Sequence, residues 1–154
     1  TRLTHVRECL SVWNKGDAQG ALLATVRCKD DGAVCDVLSC VSKMPQSLTL
    51  DSFVLLLPRL AALLESHNDD HAIASMHTIQ VLVRTFSDLI QQSISGPPPP
   101  GVDITAEERR RKCLHIYSDL QITCKTEGGL GSLKRRQGRV GALARGVMAA
   151  IDAL

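Results

Sequence analysis

Aromatic side chains are scarce in this chain, with one Trp, one Tyr and two Phe among 154 residues. Sandwiches and barrels draw on aromatic and β-branched side chains to fill pleated faces, so the shortage argues against them, and the abundance of Leu, Ala and Val points to packed helices. Long apolar runs are lacking as well: none exceeds the length of Phe53 to Leu57, which ends at Pro58 and Arg59, well short of the roughly 18 residues that cross a bilayer. No C-x-x-C pair and no secretory leader accompany the six cysteines, Cys9, Cys28, Cys35, Cys40, Cys113 and Cys124. They fall mostly at apolar helical positions, which predicts reduced core thiols in a cytosolic protein.

At 154 residues the chain has the length of one domain and can bury roughly 70% of its unfolded surface. It starts at Thr1 without a methionine, as expected for a piece of a longer protein. Its net charge of +2 is unevenly spread: residues 1–96 hold eight Lys or Arg against ten Asp or Glu, while residues 97–154 hold ten against six. The C-terminal third carries the electrostatic signal, consistent with an acidic partner.

Helical periodicity runs through almost the whole chain. Leu3, Val6, Cys9, Leu10 and Trp13 mark a first helix that Asn14-Lys15-Gly16 ends; Asp17 caps a second, and Asp30-Asp31-Gly32 opens a third. Thr49 or Asp51 caps a fourth, in which Pro58 predicts a kink because its ring removes one backbone bond. The fifth carries Ile73, Met76, Ile79, Val83, Phe86 and Ile90 on a stripe that Val81, Leu82 and Leu89 widen, which implies burial on more than one side. Pro97 to Pro100 then favour an extended spacer of about 12 Å. Beyond it, Thr105 and Glu108 have capping-box spacing at the start of a sixth helix. Glu127 to Ser132 reads as a flexible break, and Val140, Leu143, Val147, Ile151 and Leu154 stripe the last helix. The expected helices lie at about 2–13, 17–28, 31–43, 50–66, 71–94, 106–125 and 133–153, with the proline linker over 96–103. Together they predict a single all-α interaction domain of about seven helices, an antiparallel, HEAT- or armadillo-like bundle with right-handed superhelical stacking, although no fixed-period repeat is present.

Candidate chemistry is thin. His67, His71 and His77, or Cys113 with His115, are the metal-ligating candidates, yet Asn68-Asp69-Asp70 breaks the helix between the first two and the glutamate of H-E-x-x-H is absent. No local signature marks any cysteine as a nucleophile. Gly128-Gly129-Leu130-Gly131-Ser132 has the glycines of a phosphate cradle, but no strand precedes it and no Gly-Lys-Ser follows, so a linker is the better reading. No catalytic set, metal or cofactor is expected.

The positive charges are the informative feature. Arg109, Arg110, Arg111 and Lys112 follow directly on a helix start, where each cation faces the positive end of the helix dipole at a cost of about a few tenths of a kcal/mol. Glu107 with Arg111 and Glu108 with Lys112 have the four-residue spacing of favourable pairs, which leaves Arg109 free for an external anion. Lys134, Arg135, Arg136 and Arg139 form a second cluster near the next helix, and the two clusters could form one patch. A helical-repeat nucleic-acid-binding module would use the same cations. Single-strand binding wants aromatic platforms, however, and Trp13, Phe53, Phe86 and Tyr117 sit mostly at core positions. A protein polyanion fits at least as well.

The run Gly101-Val102-Asp103-Ile104-Thr105-Ala106-Glu107-Glu108-Arg109, with Lys112-Cys113 and Tyr117 after it, resembles the C-terminal conserved domain of the katanin regulatory subunit. Trp13-Asn14-Lys15-Gly16-Asp17, Leu55-Leu56-Leu57-Pro58, Leu63-Leu64-Glu65-Ser66 and the proline stretch extend the resemblance over nearly the whole chain. It implies a non-catalytic domain that heterodimerises with the N-terminal helical domain of the katanin catalytic ATPase subunit. It also implies a part in microtubule severing, through binding to microtubules and to spindle-pole or minus-end adaptor proteins, at spindle poles, basal bodies or cilia and away from membranes. The upstream part of such a subunit would be a WD-repeat propeller. Arg109 and Lys112 match basic residues of the family's recruiting surface, whereas Asn68 departs from the aromatic residue that animal members carry near there. Arg109, Arg110, Lys112, Lys134, Arg135, Arg136 and Arg139 are the residues expected to attract acidic tubulin tails or adaptor peptides. Phe53, Leu57, Leu60, Leu64, Ile73 and Met76 are the residues expected to meet the ATPase subunit.

Overall fold

Short polar breaks divide the chain, and most of its helices start at a residue able to cap them. The computed structural model describes residues 2–97, 101, 103–124 and 128–154, without the side chains of Thr123 and Cys124. Pro98 to Pro100 of the expected spacer, the Cys124 thiol and the first part of the expected break therefore lie outside the described residues. After α1 (Arg2–Asn14), the Asp17 carboxylate accepts from the Gly20 amide and starts α2 (Ala18–Arg27). Asp30 accepts from Gly32 and Ala33 and starts α3 (Asp31–Ser42). A 3-10 turn at Pro45–Ser47 leads to Thr49, whose hydroxyl accepts the Ser52 amide while the Ser52 hydroxyl accepts the Thr49 amide, a reciprocal cap for α4 (Leu50–Leu64). Asn68 accepts from Asp70 and opens α5 (Asp69–Ser95). Then α6 (Ile104–Asp119) passes into a wider π turn at Leu120–Cys124, and the one-turn α7 (Leu130–Leu133) and α8 (Gly138–Asp152) follow. The fold is all-α, with no strand among the described residues.

Helix α5 meets α3, α4, α6 and α8, which accounts for the width of its apolar stripe: Ala72, Met76, Ile79, Leu82, Val83 and Ile90 are all buried. Bonds between helices give the directions. Ser75 Oγ donates to the Leu60 carbonyl at 2.7 Å, setting α4 and α5 side by side across their short connection. Arg110 Nη1 donates to the Gly96 carbonyl at 3.4 Å and Gln91 Nε2 to the Ala153 carbonyl at 2.8 Å, so the start of α6 and the end of α8 both sit at the end of α5.

Several expectations change. The last helix does not begin near 133: Leu130 and Leu133 bury as a separate turn, and the chain breaks before Gly138, whose φ of +79° suits glycine, starts α8. Helix α6 is capped by Asp103, which accepts the Ala106 amide at 3.1 Å, and not by Thr105. Asp103 has the extended backbone a cap needs (φ −124°, ψ 95°), while Thr105 is already helical. The stripe of α1 is only partly covered, with Cys9 buried but Leu3 58% exposed. Pro58 lies on the exposed side of α4, where it withholds an amide from the Val54 carbonyl.

Charge also fastens α1. Arg2 Nε and Nη2 donate to the two Asp36 carboxylate oxygens at 2.6 and 2.7 Å. The guanidinium hydrogen bond holds the Asp36 carboxyl below its ordinary value of 3.8. The folded carboxylate binds its proton more weakly than the unfolded one, so this stabilisation is complete above the ordinary value and is lost as pH falls through the lower folded one. Exposure to water keeps the pair weak. Asp36→Asn is expected to lower stability slightly at neutral pH, and urea titrations should show the gap closing as pH is taken well below 3.8. A gap that persists in acid would assign the effect to something other than the carboxylate. In the core, Ile79→Ala is expected to cost about 2 to 5 kcal/mol in the same measurement, whereas Leu3→Ala should stay within about 0.5 kcal/mol despite occupying an equivalent place in its helical pattern.

Candidate functional site

The four consecutive cations of α6 are not equivalent, because helical spacing turns each to a different side. Arg109 and Arg111 are exposed and make no ion pair or hydrogen bond among the described residues. Arg110 is half-buried and donates to the carbonyl of Gly96, the C-cap of α5. Lys112 Nζ lies 2.7 Å from Asp51 Oδ1 and 3.6 Å from Glu108 Oε1. The Asp51 hydrogen bond raises the Lys112 ammonium above its ordinary range. The Glu108–Lys112 pair thus forms as spaced, but Asp51 on α4 takes up much of the lysine's charge. Arg109 is free, as its spacing predicts, but so is Arg111, because the expected pair with Glu107 does not form among the described residues.

The second cluster straddles the break between α7 and α8. Arg136 forks onto Asp69, with Nη1 2.8 Å from Oδ1 and Nη2 3.1 Å from Oδ2. That hydrogen bonding raises the Arg136 guanidinium further still. Arg145, which no pattern in the sequence singles out, donates Nη1 to the Lys134 carbonyl at 2.9 Å and to the Arg136 carbonyl at 3.5 Å, and so shapes the break. Gly141 leaves room for this: a Cβ there would stand 1.6 Å from the Arg136 carbonyl oxygen. Lys134, Arg135 and Arg139 are exposed.

The two clusters do not merge. Arg110 touches Gly96 and Arg136 touches Asp69, the opposite ends of α5. At 1.5 Å per residue those ends are about 40 Å apart. Screening over about 8 Å at physiological ionic strength makes the clusters electrically independent.

The apolar residues expected at a partner interface are mostly inside. Phe53, Leu57, Leu60, Leu64 and Met76 are at most 2% exposed and form this chain's own core. Ile73 is the exception: it lines a groove of about 380 Å³ between α3 and α5, with Ala74, Val81, Ser39 and Ser42, rimmed by Lys43, Asp70 and His77. A second groove, of about 460 Å³, runs between α1 and α2 along Val12, Cys9 and Ala24.

Neither metal candidate assembles. His67 and His77 are exposed and His71 Nδ1 lies 3.4 Å from Ser66 Oγ, while Cys113 is fully buried and His115 faces Asp119 at 3.4 Å. No three His, Cys, Asp or Glu residues come together for a metal among the described residues. Burial first, and then Asp31 and Asp36, push the Cys35 thiol up to about 11, which keeps it protonated. Trp13, Phe53, Phe86 and Tyr117 are all buried or half-buried, so the described residues offer no exposed Trp, Phe or Tyr ring for a base to stack on.

The family model described as the con80 domain of Katanin matches residues 1–151. The chain belongs to the katanin con80 family. It is 32% identical over 136 residues to the katanin p80 WD40 repeat-containing subunit B1 homolog KTN80.3 of Arabidopsis thaliana, a match that covers 88% of this chain and 16% of that protein. To the katanin p80 WD40 repeat-containing subunit B1 of Danio rerio it is 33% identical over 111 residues, covering 72% of this chain and 16% of the relative. The Gallus gallus subunit is 29% identical over 128 residues, or 83% of this chain and 20% of its own length. This con80 domain therefore corresponds to a fifth or less of these relatives.

Asn68 has a local task in this con80 domain. Its Oδ1 accepts the Asp70 amide at 2.9 Å and caps α5, at the end remote from Arg109. Capping by Asp103 makes a sharp expectation for α6: Asp103→Ala should lower stability by about 1 kcal/mol in denaturant titrations, while Thr105→Ala should leave it nearly unchanged. The reverse order would reinstate the threonine cap.

Proposed function

We propose that this con80 domain is a single, non-catalytic docking domain of a WD40 repeat-containing katanin subunit. It heterodimerises with the N-terminal helical domain of the katanin catalytic ATPase subunit and adds cationic surface for acidic tubulin tails or adaptor peptides. Severing belongs to the ATPase partner, and the complex works on microtubules, at spindle poles, basal bodies or cilia. The observation that carries this reading is the family match over residues 1–151. The groove between α3 and α5 supports a helix-in-groove mode of docking, in which Ile73, Ala74 and Val81 offer the apolar floor and Lys43, Asp70 and His77 the polar rim. The exposed Arg109 and Arg111 at one end of the domain, and Lys134 and Arg139 at the other, support two separate contacts with acidic chains. The lack of an exposed Trp, Tyr or Phe ring among the described residues disfavours the nucleic-acid alternative.

Titration calorimetry of this domain against the N-terminal domain of a katanin catalytic subunit from the same organism, with light scattering for mass, is expected to give a one-to-one complex. Ile73→Asp, at a half-exposed site that tolerates the charge, should weaken it about tenfold or more. Microtubule co-sedimentation should fall steeply with salt and drop further in Arg109→Ala/Arg111→Ala. Failure to bind would overturn the heterodimer reading and bring the nucleic-acid reading forward.

A further inference from the structure

Capping by Asp103 leaves Thr105 unoccupied. Its side chain is exposed, in the first turn of α6, and its hydroxyl makes no hydrogen bond among the described residues. Arg109, one turn on, is exposed and equally without a partner. Residues four apart share a helix face with their Cβ atoms about 6 Å apart, and an acid placed four residues before a base is the favourable order. Glu107 and Glu108, two and three residues after the threonine, are exposed and form the acidic pattern read by a kinase whose substrate groove is basic. Ile104 beside it is 74% exposed, so the approach is open.

We propose that Thr105 is a phosphorylation site for an acid-directed protein kinase and that Arg109 receives its phosphate. The threonine Oγ1 attacks the terminal phosphorus of a nucleoside triphosphate. An Oγ1–P bond forms, the bridging P–O bond to the departing nucleoside diphosphate breaks, and the hydroxyl proton passes to the kinase's base. The product adds about two negative charges and three acceptor oxygens. It stands at the second residue of α6, where the helix dipole favours negative charge. The carboxylates it must share that turn with are Asp103, Glu107 and Glu108. Asp103 is engaged by the Ala106 amide and Glu108 faces Lys112 at 3.6 Å. Arg110 is held by the Gly96 carbonyl and Lys112 by Asp51, which leaves Arg109 as the uncommitted cation one turn away. Phosphorylation thereby tightens the start of α6 and withdraws Arg109 from the cationic surface. None of this depends on the identity of the docking partner.

Incubating the purified chain with an acid-directed kinase and magnesium ATP, followed by peptide mass spectrometry, is expected to place phosphate on Thr105. Incorporation should vanish in Thr105→Val and fall several-fold in Glu107→Gln/Glu108→Gln. The phosphorylated chain is expected to melt at a higher temperature than the unphosphorylated one, and Arg109→Gln to abolish that rise. Phosphate on other residues alone, or none, overturns the site. A rise that survives Arg109→Gln, or a drop in melting temperature, overturns the part assigned to Arg109.

Discussion

Helix α5 is 27 residues long and lies against α3, α4, α6 and α8, so none of these can shift without uncovering Met76, Ile79, Leu82 or Ile90. Each such side chain contributes about 1.5 to 3 kcal/mol by leaving water. The exposed ion pairs contribute far less each. Apolar packing therefore decides that the helices assemble, and polar contacts choose the register in which they do so. The Ser75 hydroxyl on the Leu60 carbonyl and the Gln91 amide on the Ala153 carbonyl are contacts of the second kind.

One arrangement recurs at the helix starts. Asp31, Asp51 and Asp69 each occupy the first turn of a helix, where a carboxylate complements the dipole. Each also receives a cation from later in the chain: Arg59 for Asp31, Lys112 for Asp51 and Arg136 for Asp69. Arg59 is the most covered of the three cations, and its Nε has no hydrogen-bond partner among the described residues, so this clamp carries a desolvation cost that its packing must offset. The pattern ties α3 to α4, α4 to α6, and α5 to the segment before α8. It also shrinks the cationic surface, since Lys112 and Arg136 act first as internal ties.

Much of this architecture was legible in the chain itself. Asp17, Asp30 and Thr49 cap where their residue types and positions indicate, and the broad stripe of α5 foretells its burial. What stayed hidden depends on three-dimensional neighbours. Asp103 and Thr105 are both good capping residues, and only the backbone angles at each decide between them. Phe53, Leu57 and Met76 have the same pattern whether they face a partner or their own core, so periodicity cannot divide them. The basic clusters are only about two dozen residues apart in sequence, yet the intervening run back along α5 carries them to its opposite ends. Arg145 left no signal at all, because its partners are backbone carbonyls whose chemistry is independent of residue type.

Gly141 gives α8 an unusual influence. Its bare Cα lets the Arg136 carbonyl rest against the helix, and that carbonyl belongs to the same residue whose guanidinium forks onto Asp69. A methyl group at position 141 would collide with the peptide before it reached any apolar neighbour. The displacement would pass through one Cα to the charged end of the side chain. An apolar position on the last helix thus works as the fulcrum of a lever whose far arm is an ion pair at the start of α5, so steric change at one place is converted into electrical change at another.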